Sequence, residues 1–169
     1  MKITILNGSP NGDYNTLTER IQSLKMQKEN EGHSVEEFNL KEMDLAFCNG
    51  CWACWWKSPG ICAIKDDIES ILRSVINADL VIFSSPIIKG FTSSLLKKVC
   101  DRLIPLVHPY IELVENECHH LKRYDKYPDF ALVALKEEDT DKEDEEIISD
   151  IFKRFALNIK TKVEFVEFI

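Results

Sequence analysis

The stretch ADLVIFSSP, residues 78–86, decides the fold. Its apolar run from Leu80 to Phe83 is unbroken, so polar residues do not alternate along it. A strand apolar on both faces must be covered on both faces, the condition of an inner strand in a parallel sheet. Pro86 removes a ladder donor and cuts the strand off. IIKGFTSS then leads into a helix expected over about 93–106.

Similar signals lie on either side. KITIL (2–6) is a short β-branched run that stops at NGSPNG, a cluster of chain punctuators. From Thr16 the spacing becomes helical, with Leu17, Ile21, Leu24 and Lys28 on one face, until Gly32 ends it. HSVEEFNL (33–40) alternates in part and reads as an edge-like strand. Asp66 or Asp67 caps a helix whose buried stripe is Ile68, Ile71, Leu72 and Val75. YPDFALVAL (127–135) is a fourth strand of the buried kind. KEEDTDKEDEE (136–146) reads as a solvated acidic loop entering a helix with apolar face Ile147, Ile151, Phe152 and Phe155. KTKVEFVEFI (160–169) alternates and ends the chain as a fifth strand, without a helix after it.

Alternating strands and helices with buried inner strands predict an α/β three-layer sandwich with helices on both faces of the sheet. Five strands fit the flavodoxin-like parallel order 2-1-3-4-5, in one domain over 1–169, with the final helix missing. A ligand in such a sheet binds outside the carboxyl ends of the first and third strands, where the winding reverses. The loops there are NGSPNGDYNT and SSPIIKG.

Composition narrows the partners. At 44% hydrophobic and 30% charged, the chain reads as an ordinary globular cytoplasmic protein. A formal charge of −8, with Lys122, Arg123 and Lys126 the nearest thing to a basic patch, argues against nucleic acid. MKITIL has no charged-then-apolar leader, and no apolar run reaches the length of a membrane span. Six cysteines in a reducing compartment point to metal or redox chemistry before disulfides.

GSPNGDYNT (8–16) has the parts of a phosphate cradle. Gly8 and Gly12 let the backbone curl, Ser9, Asn15 and Thr16 supply donors, and the first helix presents its positive end. No Lys or Arg stands in the loop, so a mononucleotide phosphate suits it better than a nucleoside triphosphate. A capped turn without a ligand fits the same residues. After the third strand, Gly90 permits close backbone approach to a flat ligand.

Three segments, ILNGSPNGDYNTL, CNGC..C.......C...DD and SSPIIKG......LKKVCDR, resemble the NAD(P)H-dependent FMN reductase and iron–sulfur flavoprotein group of flavodoxin-like proteins over roughly the first 105 residues. The resemblance implies FMN with its phosphate at Ser9, Asn11, Asn15 and Thr16, and its ring near Pro86, Ile87, Ile88, Lys89 and Gly90. It implies electrons taken from NAD(P)H and passed to a small-molecule acceptor such as a quinone or flavin. FMN does that chemistry, so no side chain is named as a catalytic acid or base. Asp101 and Arg102 match the family's Asp-Arg pair, read as structural or interfacial. Three departures stand out. Ile88 and Lys89 replace the aromatic usual beside the ring, the acidic stretch replaces a glycine-containing loop, and the final helix is absent. A bare sheet face calls for a partner subunit, hence an expected homodimer or homotetramer.

CNGCWACWWKSPGIC (48–62) holds four of the six cysteines and all three tryptophans. The spacing of Cys48, Cys51, Cys54 and Cys62 is C-x2-C-x2-C-x7-C, a compact run that suits a [4Fe–4S] cluster. Free thiols in an aromatic-lined loop, or zinc, also fit. Trp52, Trp55 and Trp56 either cover a flavin or a subunit interface, or plug the loop against the body. Cys118, His119 and His120 lack the spacing of a metal site, and Cys100 reads as a buried apolar group. Three functions follow: a hydride-fed FMN reductase, a one-electron FMN and [4Fe–4S] relay, and a flavin-free scaffold that binds a partner.

Overall fold

The computed structural model describes residues 1–169. Its elements are β1 (Lys2–Asn7), α1 (Asn15–Asn30), β2 (Ser34–Asn39), α2 (Ala53–Trp56), α3 (Ile68–Asn77), β3 (Leu80–Ile88) and β4 (Phe91–Thr92). There follow α4 (Ser94–Asp101), β5 (Val107–Val114), β6 (Glu117–Lys122), β7 (Asp129–Leu135), α5 (Lys142–Asn158) and β8 (Val163–Phe168). The sheet order is β2-β1-β3-β7-β8, all parallel, which is the flavodoxin-like order expected for five main strands. No helix is long and apolar enough to cross a membrane.

The unbroken apolar run of β3 works as expected, because its side chains supply both cores. Leu80 and Ile82 join Ile3, Ile5, Ala131 and Val133 under Leu17, Ile21 and Leu24 of α1. Val81 and Phe83 face the opposite layer, packed by α3, α4 and α5. Phe83 sits in an aromatic cluster, with ring centroids 4.8 Å from Phe130 and 5.2 Å from Phe152.

Four expectations are corrected. The helix after β3 ends at Asp101, and Pro105 lies in a short 3-10 turn (Ile104–Leu106) that turns the chain away. The buried stripe of α5 is Ile148, Phe152 and Ala156, whereas Ile147 and Ile151 are 47% and 37% exposed. Two adjacent isoleucines cannot both face the sheet, and i, i+4, i+8 spacing selects the second. The acidic stretch is loop only to Asp141. That residue closes a capping box with Asp144, and Glu143, Asp144 and Glu145 lie in the first turn, where the helix dipole favours them. Last, an antiparallel β5–β6 hairpin precedes β7, its turn built on Glu115 and Asn116 at φ 52° and 65°.

Candidate functional site

The loop after β1 is stitched to the carboxyl end of β3. The Gly8 amide donates to the Ser84 carbonyl at 2.8 Å, and Ser93 Oγ donates to the Gly8 carbonyl at 2.5 Å. Gly8 packs so closely there that a Cβ would fall 2.7 Å from Leu96 Cβ and 3.0 Å from the Ser84 oxygen. Next to it Ser9 is 4% exposed, and its Oγ has no hydrogen-bond partner. At the loop's far end Tyr14 gives α1 no side-chain cap, so the first-turn amides lack that acceptor. A buried hydroxyl without a partner and an uncapped helix start in one loop are what a phosphate would satisfy together. Asn11, Asn15 and Thr16 are exposed, and the Asn15 amide donates to Asp13 Oδ1 at 2.6 Å.

On the opposite side Pro86 and Ile87 are buried within β3, so they shape the site from below. Ile88 is half-buried, and Lys89 and Gly90 form a tight turn into β4 with φ of 52° and 74°. A cleft of ≈ 660 Å³ opens between this turn, the first loop and the end of β7. That volume suits a cofactor. Asp13, Lys89, Lys136, Glu137, Glu138 and Asp139 are its charged lining. Both lysines are already paired, Lys89 with Asp139 at 2.9 Å and Lys136 with Glu145 at 3.2 Å. The Asp139 hydrogen bond, then its charge, raises the Lys89 pKa. The cleft is therefore acidic in sum.

All four cysteines of residues 48–62 line one further cavity of ≈ 90 Å³, which shares no residue with the cleft. Its walls are apolar, with Trp52, Trp55, Ile104 and Pro105 among them. Buried Trp55 anchors the loop, its indole N–H donating to the carbonyls of Val107 at 3.0 Å and Ile104 at 3.2 Å. Trp52 and Trp56 are exposed, so of the three tryptophans only Trp55 plugs the body. Burial, then the charges of Cys62, Cys51 and Cys48, pushes the Cys54 thiol up. Bare thiolates would repel one another there, and a cationic centre would relieve that. No three His, Cys, Asp or Glu groups gather tightly enough for a single ion. Four cysteines in C-x2-C-x2-C-x7-C order on one cavity are the donor set that a [4Fe–4S] cubane takes.

One wall of that cavity is Arg102, only 1% exposed. Its Nη2 donates to Asp66 Oδ1 at 2.9 Å and to Cys62 Sγ at 3.2 Å, and its Nη1 donates to Asp66 Oδ2 at 2.5 Å and to the Ala46 carbonyl at 3.1 Å. Asp66 also accepts from the amides of Ala46 and Ile68. Arg102 is thus separate from Asp101, which pairs with Lys97 on the surface. Burial pushes the Asp66 carboxyl up, but the Arg102 bonds and the two amides outweigh it and hold the pKa below its ordinary value. A depressed folded-state pKa gives stability that is full above the unfolded value, about 3.9, and lost as pH falls through the folded one. Urea unfolding between pH 6 and pH 3 should therefore show stability dropping below about pH 4. The double variant Asp66→Asn/Arg102→Met should follow a flatter curve, and equal slopes would count against this assignment.

Sequence reading did not find Arg102's bond to Cys62 or the place of Asp13 in the cleft wall, whereas the acidic stretch it set beside the ring does line the cleft at Glu137 to Asp139. The Asp-Asp pair at 66–67 just after Cys62 was the available signal for the Arg102 bond.

Known proteins resemble this chain in sequence and in fold. The family model described as NADPH-dependent FMN reductase matches residues 1–121. An iron–sulfur flavoprotein of Methanocaldococcus jannaschii is 37% identical over 106 residues, 63% of this chain and 53% of the relative. One from Archaeoglobus fulgidus is 33% identical over 102 residues, 60% of this chain and 48% of the relative. The chain thus spans about half the length of the curated relatives it matches. Among solved structures, azoreductase AzrA superposes with a TM-score of 0.68 at 12% identity, covering 100% of this chain and 86% of the other. An FMN-dependent NADH-azoreductase from Bacillus anthracis, solved with FMN, gives 0.64 at 13% identity, covering 99% and 85%. At such identities the structural likeness speaks for the fold alone.

Proposed function

The chain belongs to the NADPH-dependent FMN reductase family, and from that premise we propose that it is an FMN-dependent oxidoreductase carrying a [4Fe–4S] cluster as a second redox centre. The observation that carries the proposal is the convergence of Cys48, Cys51, Cys54 and Cys62 on one apolar cavity. The relatives named iron–sulfur flavoproteins support it.

In this reading the FMN phosphate takes its bonds from Ser9 Oγ and the first-turn amides of α1. Ile88, Lys89 and Gly90 would hold the ring. Bound FMN supplies hydride and single-electron chemistry, and the cluster supplies single-electron transfer. The chain's own work is binding and exclusion of water. Gly8 holds the phosphate loop against β3, Trp55 lines the cysteine cavity and anchors its loop, and the exposed Lys89–Asp139 pair joins the turn after β3 to the loop after β7.

Anaerobic reconstitution with iron, sulfide and FMN tests the proposal. The expected product binds FMN and about four irons with matching acid-labile sulfide. Protein that stays colourless and gains no heat stability from FMN would instead support the flavin-free scaffold. Ser9→Ala separates binding from folding. Removing an unpartnered buried hydroxyl should leave the apo protein as stable or more so, while FMN affinity falls by about fivefold to tenfold, the worth of one hydrogen bond. Thermal melts with and without FMN read both quantities, and a variant that loses stability but keeps its affinity would contradict the assignment.

The family description favours a second reading, in which NADH or NADPH reduces the flavin directly. The acidic cleft lining disfavours a dinucleotide's phosphates at low salt. Mixing each nicotinamide anaerobically with the flavin-loaded protein decides it, since bleaching of the yellow colour without another donor requires direct reduction.

A further inference from the structure

We propose that Arg102 is a positioning residue for the cysteine cavity, and that its N–H···S bond to Cys62 makes a cluster held there easier to reduce. The inference rests on residues 48–62 being a cluster site. Three observations carry it. Arg102 is the only charged residue lining the cavity, where four thiolate ligands would leave an excess of negative charge, half-buried at Cys54 and Cys62 and exposed at Cys48 and Cys51. Its fork cannot swing away. Both Nη atoms are bound to Asp66, which is itself fixed by the amides of Ala46 and Ile68, so one Nη stays 3.2 Å from the Cys62 sulfur. Finally, Arg102 Nε is buried with no partner in the fold. Such a donor calls for an acceptor that the fold does not supply, and Arg102 lines the cavity where an anionic occupant would sit.

A plain structural buckle would explain the Asp66–Arg102 pair and the bond to the Ala46 carbonyl. It would not explain a guanidinium turned toward a thiol, nor the idle Nε. Potentials of iron–sulfur centres follow net charge and the hydrogen bonds to their sulfurs. Reduction adds a negative charge, so a fixed N–H donor and a nearby positive charge favour the reduced form. Asp66 moderates that effect by neutralising part of the guanidinium's charge.

The test is an anaerobic redox titration of the cluster-loaded full chain, followed by electron paramagnetic resonance, with iron counted for each variant. In Asp66→Asn/Arg102→Met, which leaves no buried charge unpaired, the reduction equilibrium should fall at least tenfold, a downward shift of about 59 mV for one electron. Asp66→Asn alone should move it upward, because the guanidinium is then uncompensated. Arg102→Lys keeps the charge without the fork, and should lie between wild type and the double variant. Opposite signs for the first two variants are beyond a merely structural role. A double variant with full iron and an unchanged midpoint would overturn the inference, as would Asp66→Asn shifting the same way as the double. If the double variant fails to fold, Asp66→Asn and Arg102→Lys still decide by their signs. Wild-type protein that takes up no iron overturns the cluster reading first, and this inference with it.

Discussion

Cys54→Ser is expected to reduce reconstituted iron from about four atoms per chain to under about one. Cys54 lines the cavity with the other three, and burial, then their charges, pushes its thiol up. Serine keeps the volume but offers a hydroxyl that does not ionise near neutral pH and binds iron weakly. The α2 turn and the Trp55 anchor do not depend on that sulfur, so the far-ultraviolet spectrum should hold. Cys100→Ser and Cys118→Ser are the controls. Cys100 packs against the main core on α4, and burial pushes its thiol up to about 12. Cys118 is exposed on the β5–β6 hairpin. Neither lines the cavity, so both variants should load like the wild type. Full iron in Cys54→Ser would dismiss the cluster, and loss of iron in Cys118→Ser would move its ligand set to another part of the chain.

The sheet could be read from the sequence because its physics is local. An inner parallel strand must be apolar on both faces, and β3 and β7 say so residue by residue. The same rule located the two loops that meet at the winding reversal, and with them Ser9 and Lys89. The hairpin was harder. His108, Pro109 and Glu112 break the alternation of β5, and a Glu-Asn turn lacks the glycine that usually announces a hairpin. Which isoleucines of α5 face inward depends on helix rotation against the sheet, settled by packing around Phe83. The role of Arg102 was least legible. Asp66 and Arg102 are 36 residues apart, and no periodicity relates them, so only the folded chain brings the pair to the Cys62 sulfur. The cysteine spacing named its four residues but could not tell that they share one cavity.

Gly8→Ala should weaken FMN binding by about ten- to a hundredfold and cost the apo protein about 1–3 kcal/mol, the usual penalty of overpacking. The reason is proximity rather than backbone freedom. The added methyl would meet Leu96 Cβ at 2.7 Å, the Ser84 carbonyl at 3.0 Å and Ser93 Oγ at 3.1 Å. Two of those three contacts are the atoms that stitch the loop, since the Gly8 amide bonds the Ser84 oxygen and Ser93 Oγ bonds the Gly8 carbonyl. Neither Leu96, buried in the core, nor the backbone of β3 can retreat cheaply. The loop must therefore move, and Ser9 moves with it, away from where its idle hydroxyl would meet a phosphate. This sets the substitution apart from Ser9→Ala, which removes one donor and leaves the cradle in place. Flavin fluorescence titration gives the affinity, and urea unfolding of the apo protein gives the stability. Unchanged affinity with lowered stability would show that FMN does not depend on this loop, and the phosphate site would have to lie elsewhere along the cleft.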